Sequence, residues 1–514
     1  MSKVSSDINL DLELHEDHQS EHRANNSPES PKLSTPSSTP PLEQFTIDED
    51  PNNVSLHRDS SCILFKGQPI IIEDKNIFRN HKLKVQMVAA MMSLFLLGLS
   101  DQIIGSLIEH LLSYYHIDRV QVSFLFIAQF CGYIPASLLN NYLLSKYGFH
   151  KLYYTSCLVV MVSSTLFLLK APFYILPFGS VMFGWANGTF DCCLNYFVGT
   201  LDYSNELLGI AHAMYGVGCL VTPILSIHLI RIGMPWNHYY FVLIGTAFLN
   251  LLLAFFFFRE ETSMKYQYIT LQAQETSGED TYFDSAETAA NTIDKTQPSI
   301  IETLFNKYVA FYCTALFLYV GSELSVGVWL NNYLFRIQHL TEEQASYITS
   351  LFWLFMTSGR VIMGIYTGRH FEDKEVRAMV IYCSLVALGC FSFWIFSSSV
   401  AAQTVSIAFA GWFVGPVFST TIIASIKTLP KRYSVHGISL IAGLGGTGAA
   451  IIPGIMGWVS EHLGSPENDT DGNDGAGLYY FPELVCVTFT MAALCWLSFY
   501  LYNKSTLDRK LRLQ

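Results

Sequence analysis

Charge is scarce in this chain of 514 residues: Asp, Glu, Lys and Arg make up 14%, against 51% hydrophobic residues, and they crowd into the tails and a few loops. Long stretches are therefore almost free of charge. Metal-ligand spacing is absent among the 11 cysteines, of which only Cys62 lies outside the apolar stretches. Adjacent Cys192 and Cys193 point to different sides of a helix, and all eleven read as free thiols that pack as small apolar residues. There is no phosphate-cradling loop, nucleophile elbow, metal cluster or ATP-binding module, so neither an enzyme nor a cofactor is expected. No signal peptide opens the chain, because the first 60 residues are polar and rich in Ser, Pro, Asp and Glu. The net charge of -12 resides largely in that tail and in a middle loop, and no nucleic-acid partner is expected.

What is present is a series of twelve apolar stretches, each near or above the roughly 20 residues that cross a bilayer as a helix. They run approximately over 85–111, 120–144, 152–169, 173–199, 207–230, 237–258, 305–333, 343–367, 376–397, 400–426, 435–460 and 479–502. The chain then divides into a disordered tail (1–80), a first six-helix bundle (84–258), a linker loop (259–304), a second bundle (305–503) and a short tail (504–514). Lys and Arg near the span ends favour one side by 20 to 4. That bias puts both termini and the linker in the cytosol. The last outer loop, 461–478, carries the sequon Asn468-Asp469-Thr470, a candidate glycosylation site in this topology.

The two sets of six spans repeat one another. Leu94-Phe-Leu-Leu-Gly-Leu-Ser-Asp101-Gln-Ile-Ile-Gly105 aligns without a gap to Leu316-Phe-Leu-Tyr-Val-Gly-Ser-Glu323-Leu-Ser-Val-Gly327, and both place an acid four residues before a Gly. The fourth spans match as Gly184-Trp185-x-x-Gly188 and Gly411-Trp412-x-x-Gly415, with Phe418 where the first half has Asp191. The fifth spans match as Gly216-x-Gly218-x-x-x-x-Pro223 and Gly446-x-Gly448-x-x-x-x-Pro453, glycines and prolines that predict close packing and a hinge in each half. Three matches in order at near-constant offset imply one duplicated unit.

An all-α membrane fold of twelve helices in two parallel six-helix pseudo-repeats resembles the major facilitator superfamily. Gly-Leu-Ser-Asp101, Gly-x-x-Asn-Gly-Thr-Phe-Asp191-x-x-x-Asn195 and Tyr-Val-Gly-Ser-Glu323-x-x-x-Gly-x-Trp329 look like its fucose permease-related branch, particularly the fungal members. The resemblance implies a secondary active transporter with sugar-binding and proton-coupling acids in the first and fourth spans, which fall here on Asp101 and on Asp191 with Asn195 beside it. One departure is plain. The superfamily's turn signature between spans two and three is degraded, with Asn141 for Gly and Ser145 for Asp, and only Lys146-x-Gly148 and Lys151 remain.

An acid in the middle of a span is costly unless it faces a cavity or a partner. Asp191, Asp101 and Glu323 are thus the proton-coupling candidates, the alternative for each being a carboxylate bonded within the bundle. Asp191 shares a helix face with Gly184, Gly188 and Asn195. Helix rise places Asp101 and Asp191 on the order of 13 Å apart in depth, so no shared carboxylate pair is expected. Arg360 falls about 12 Å deeper than Glu323, which disfavours a direct bridge and leaves Asp191 or a purely structural partner for Arg360. Hydrogen-bonding and aromatic residues suited to a solute are Asn195, Gln102, Asn187, Gln129, Asn331, Asn332 and Trp329, with Trp185 and Trp353; ordinary packing is the alternative for each ring. His212 is a candidate proton relay or helix cap.

These features together predict proton-coupled uptake of a small polar solute such as a sugar, by a monomer in the plasma membrane or an internal membrane. Two alternatives stay open: a proton-coupled antiporter exporting another class of small molecule, and a transporter-like nutrient receptor. The Gly/Pro signature expected of the antiporter is fragmentary, with Thr222-Pro223 in place of Gly-Pro.

Overall fold

The computed structural model describes residues 61–66, 68–276, 300–371, 374–429, 434–463 and 476–512. A two-stranded antiparallel hairpin, β1 (Ser61–Phe65) and β2 (Gln68–Ile72), precedes the helices, with Ser61 opposite Ile72 and Phe65 opposite Gln68. The first half consists of α1 (His81–Ser106), the short α2 (Ile108–Tyr115), α3 (Arg119–Tyr147), α4 (Phe149–Leu168), α5 (Leu176–Gly199), α6 (Ser204–Arg231) and α7 (Tyr240–Phe257). Helix α8 (Ser263–Thr276) and the short α9 (Ile300–Leu304) belong to the connection. The second half consists of α10 (Lys307–Arg336), α11 (Glu342–His370), α12 (Glu375–Ile395), α13 (Val400–Val414), α14 (Val417–Thr428), α15 (Ser434–Gly446), α16 (Gly448–His462) and α17 (Phe481–Arg512).

Among the described residues eleven helices are long and apolar enough to cross a membrane, taking each of the pairs α13/α14 and α15/α16 as one span. Helix α5 has the length, at 24 residues. Asn187, Asp191 and Asn195 dilute its hydropathy, so composition alone does not select it. Each half starts its second span with a capping box, Asp118 with Gln121 on α3 and Thr341 with Gln344 on α11, which fixes where the chain re-enters the bundle.

The repeat read in the sequence is also a repeat of packing. Gly218 of α6 lies against the carbonyl of Phe95 on α1, and Gly448 of α16 lies against the carbonyl of Phe317 on α10. Phe95 and Phe317 are aligned residues of the two halves. In each half the fifth span thus presses backbone to backbone on the first, a contact that only a residue without Cβ permits. Contacts across the halves run α1 to α10, α6 to α11, and α3 to α15 and α16.

Two expectations are corrected. The stretch 61–72 is folded as the hairpin, whose Ile-rich strands Ser61–Phe65 and Gln68–Ile72 pack towards α8, so the disordered tail does not extend to residue 80. The linker is also not plain loop, since Ser263–Thr276 is helical. Residues 1–60, residues 277–299 of the linker and Asn468 lie outside the described residues. In the fifth and eleventh spans Pro223 and Pro453 sit inside helices, while the eleventh span is interrupted at Thr447, between the glycines.

Candidate functional site

Midway through the bundle, between the halves, lies a cavity of about 160 Å³. A volume near this holds a single six-membered ring in other proteins. The first half supplies its polar wall through Asp101, Gln129, Tyr133, Asn187, Asp191, His212 and Tyr215; the second supplies Glu323 and Arg360 among Val320, Leu324, Val328, Phe418 and Ala442.

Asp101 is held by neutral donors. Its Oδ1 accepts from Gln129 Nε2 at 2.6 Å and Asn187 Nδ2 at 2.8 Å, and its Oδ2 from the Tyr215 hydroxyl at 3.3 Å. Asp191 accepts from the Tyr133 hydroxyl at 2.7 Å and from Asn195 Nδ2 at 3.0 Å. The Asn195 carbonyl oxygen in turn meets His212 Nε2 at 2.9 Å. Helical spacing does this work: Asn187, Asp191 and Asn195 stand one turn apart on one face of α5, while Gln129 and Tyr133 stand one turn apart on α3. Asp101 and Asp191 have separate sets of donors, and Asn187 binds only the former.

Arg360 departs from expectation. Its Nη2 is 3.4 Å from Glu323 Oε1, both side chains are buried, and no bond to Asp191 forms. Helix α10 runs to Arg336, beyond the expected end near residue 333, which places Glu323 about 4.5 Å deeper. The long guanidinium arm covers the remainder. Arg360 also donates from Nε to the Gly415 carbonyl at 3.3 Å, where Pro416 separates α13 from α14, and from Nη1 to the His212 carbonyl at 3.1 Å, across the halves.

The structure does not bring every sequence-selected residue to the cavity. Gln102 donates to the Gly327 carbonyl at 2.5 Å, where α1 crosses α10. Asn332 donates to Glu109, Asn331 to Ser346 at 3.2 Å, and Trp329 to the Pro453 carbonyl at 2.9 Å. Periodicity identifies a polar face but not which neighbour covers it. These four faces meet other helices beyond the cavity, towards the end of the bundle away from the starts of α1 and α10. Tyr133 and Tyr215 do not stand out in the sequence, where the i, i+4 spacing of Gln129 and Tyr133 is the available signal.

That far end is sealed. Glu109 on α2 bonds Arg336 and lies 3.7 Å from Arg119; Arg119 is 4.0 Å from Glu461, His110 is 3.7 Å from Glu342, and Arg231 is 2.8 Å from Glu343. Apart from the Glu109–Arg119 contact, these pairs tie first half to second. Glycines make room beside them: Gly105 lies against the Val328 backbone, Gly327 against the side chains of Trp353 and Gln102, and Gly457 against the Ser123 side chain. Gly105 and Gly327 are the aligned glycines that follow Asp101 and Glu323 by one turn. Among the described residues no group of His, Cys, Asp and Glu is arranged to hold a metal ion.

A sequence model of the Major Facilitator Superfamily matches residues 90–371 and 309–511. "Bypass of stop codon protein 6" of Saccharomyces cerevisiae is 30% identical over 473 residues, covering 89% of this chain and 90% of that protein. Among solved structures the fold is similar to a D-xylose–proton symporter, with a TM-score of 0.61 and 13% identity over 80% of this chain and 97% of the other. It is also similar to the fucose:proton symporter of E. coli, with a TM-score of 0.52 and 15% identity over 80% of this chain and 98% of the other.

Proposed function

The chain belongs to the Major Facilitator Superfamily as a multi-pass membrane protein with that family's transporter fold, and from this premise we propose that it carries a small polar solute, such as a monosaccharide, together with protons by alternating access. The observation that carries the reading is the pair Asp101 and Asp191. Both line the cavity between the halves; among the described residues both are held only by neutral donors, and the one fixed cation lining the cavity, Arg360, is engaged with Glu323. Uncompensated carboxylates at this depth are suited to take up protons together with a solute.

The bonds support a division of labour. Asp101, inside a cage of amide and phenol donors, presents hydrogen-bonding groups to solute hydroxyls. Asp191, with Tyr133, Asn195 and His212 around it, carries the proton. The ion pairs across the far end support access to the cavity from the end at which α1 and α10 begin. By the Lys and Arg bias that end is cytosolic, which makes this the inward-facing state. Loading from the other side requires the ion pairs of Glu109, Arg119 and Glu343 to part.

Purified protein in liposomes, loaded with buffer and diluted into acidic medium, tests this with labelled D-xylose and L-fucose as first probes. Accumulation that collapses with the pH gradient supports the reading. A folded, monodisperse protein that moves no probe in any gradient favours the receptor alternative.

A further inference from the structure

The turn between α3 and α4 keeps only part of its charged signature, yet it is firmly held. The Ser145 carbonyl accepts from Gln267 Nε2 of α8 at 3.0 Å. Gly148 has φ of +78°, and a Cβ there would lie 2.5 Å from the Ser263 nitrogen, so the start of α8 rests directly on the turn. His150 bonds the Glu261 carbonyl twice, through its backbone nitrogen at 3.3 Å and Nδ1 at 2.9 Å. Glu261 is itself buried, with Lys265 at 2.6 Å and the Tyr266 hydroxyl at 3.0 Å.

The hairpin braces α8 from behind. Lys66 Nζ donates to Gln267 Oε1 at 3.3 Å, and the Phe65 and Tyr268 rings meet edge to face at 5.5 Å. Lys82 at the start of α1 bonds both Glu73 and Glu260, and the Lys75 carbonyl accepts from the Asp202 nitrogen at 3.1 Å. Every partner named here belongs to the hairpin segment, the start of the linker or the first half.

We propose that Gln267 and Glu261 of the linker are positioning residues that latch the α3–α4 turn in place of the degraded ionic signature, and that the braced layer fixes the spacing of the halves at this end. The second clause rests on the alternating-access reading; the first does not. Gln267→Glu keeps an acceptor for Lys66 but removes the donor to Ser145, while Gln267→Ala removes both. In the purified full-length protein, amide hydrogen exchange over 145–151 should quicken roughly fivefold in both variants, and exchange of the hairpin only in Gln267→Ala. Spin labels at Lys151→Cys and Lys374→Cys, with exposed Cys62 and Cys131 changed to Ser, should give a broader distance distribution in both variants. Unchanged exchange at the turn overturns the latch. Quickened exchange with an unchanged distance distribution overturns its bearing on the spacing of the halves. Neither measurement uses a transported solute, so a negative result stands apart from failure of the transport reading.

Discussion

The guanidinium of Arg360, on α11, donates to the main-chain carbonyl of His212, on α6, at 3.1 Å, and so joins the ion pair of the second half to the helix that lies beside Asp191. The same group satisfies Glu323. Removing one member of a buried pair leaves an uncompensated charge and costs about 3–5 kcal/mol, whereas replacing both is far milder. Arg360→Met should therefore lower the unfolding temperature in detergent markedly, and adding Glu323→Gln should recover much of the loss. Equal unfolding temperatures for the wild type and Arg360→Met would show that the pair carries no stability.

Asp191→Asn keeps the shape of the site and removes its titration. The amide oxygen can still accept from Asn195, while the new NH2 faces the Tyr133 hydroxyl, which turns from donor to acceptor, so solute should exchange at equal concentrations on the two sides. Accumulation driven by a pH gradient should vanish. If the variant still concentrates solute, Asp191 is structural and the proton path runs through Asp101 or Glu323.

Much of this could be read from the sequence because charge is rare there. An acid in an apolar run stands out, and Asp101, Asp191 and Glu323 all line the cavity. The repeat was equally legible, since glycines spaced for backbone contact mark helix crossings. Gln102, Asn331, Asn332 and Trp329 were misplaced because periodicity fixes a face, while the crossing of α1 over α10 and the reach of α2 decide what covers it. The partner of Arg360 depended on the true end of α10, a three-residue matter that shifts depth by several ångströms.

If Gly218 and Gly448 served only as hinges, a Leu at either position would stop transport and leave abundance normal. Their contacts with the carbonyls of Phe95 and Phe317 lie inside one half each, so a Leu at either position pries its own bundle apart. Both variants should accumulate poorly in membranes. Gly216 differs, because a Cβ there meets Thr357 of the other half. Gly216→Ala should preserve abundance and slow transport. Immunoblots beside uptake rates separate the two outcomes.

The hairpin's attachment should depend on pH. Burial alone would push the Glu73 carboxyl up, but the hydrogen bond and charge of Lys82, with Lys265 nearby, outweigh it and hold it below the usual carboxylate range. A lowered carboxyl stabilises the fold above its ordinary value of about 4.3 and loses that contribution as pH falls through the folded value. Protection of 61–72 from hydrogen exchange, referred to amides within α1, should thus be flat from pH 7 to 5 and drop below about pH 4. A drop beginning near pH 6 would point to a histidine instead.

The seal at the far end turns on Gly105. A Cβ there would lie 2.8 Å from the Val328 Cα, a distance that only movement of the backbones relieves, while the Gln102 side chain beside it is already buried with its amide oxygen unbonded in the closed state. Parting the halves at that level lets water reach this oxygen, which offsets part of what the ion pairs contribute, and one added methyl group is expected to tip the balance. Gly105→Ala is expected to favour the state open at the far end, with the Glu109 to Arg336 and Arg231 to Glu343 pairs broken. Spin labels at Ile232→Cys and Leu463→Cys, exposed positions at the ends of α6 and α16, with exposed Cys62 and Cys131 changed to Ser, should report a longer distance in Gly105→Ala than in the parent. Arg336→Gln, which weakens the ionic layer without a steric wedge, should move the distance in the same direction by less. An unchanged distance in Gly105→Ala, with the protein still folded, would mean that α1 and α10 give way locally and that the gate lies elsewhere.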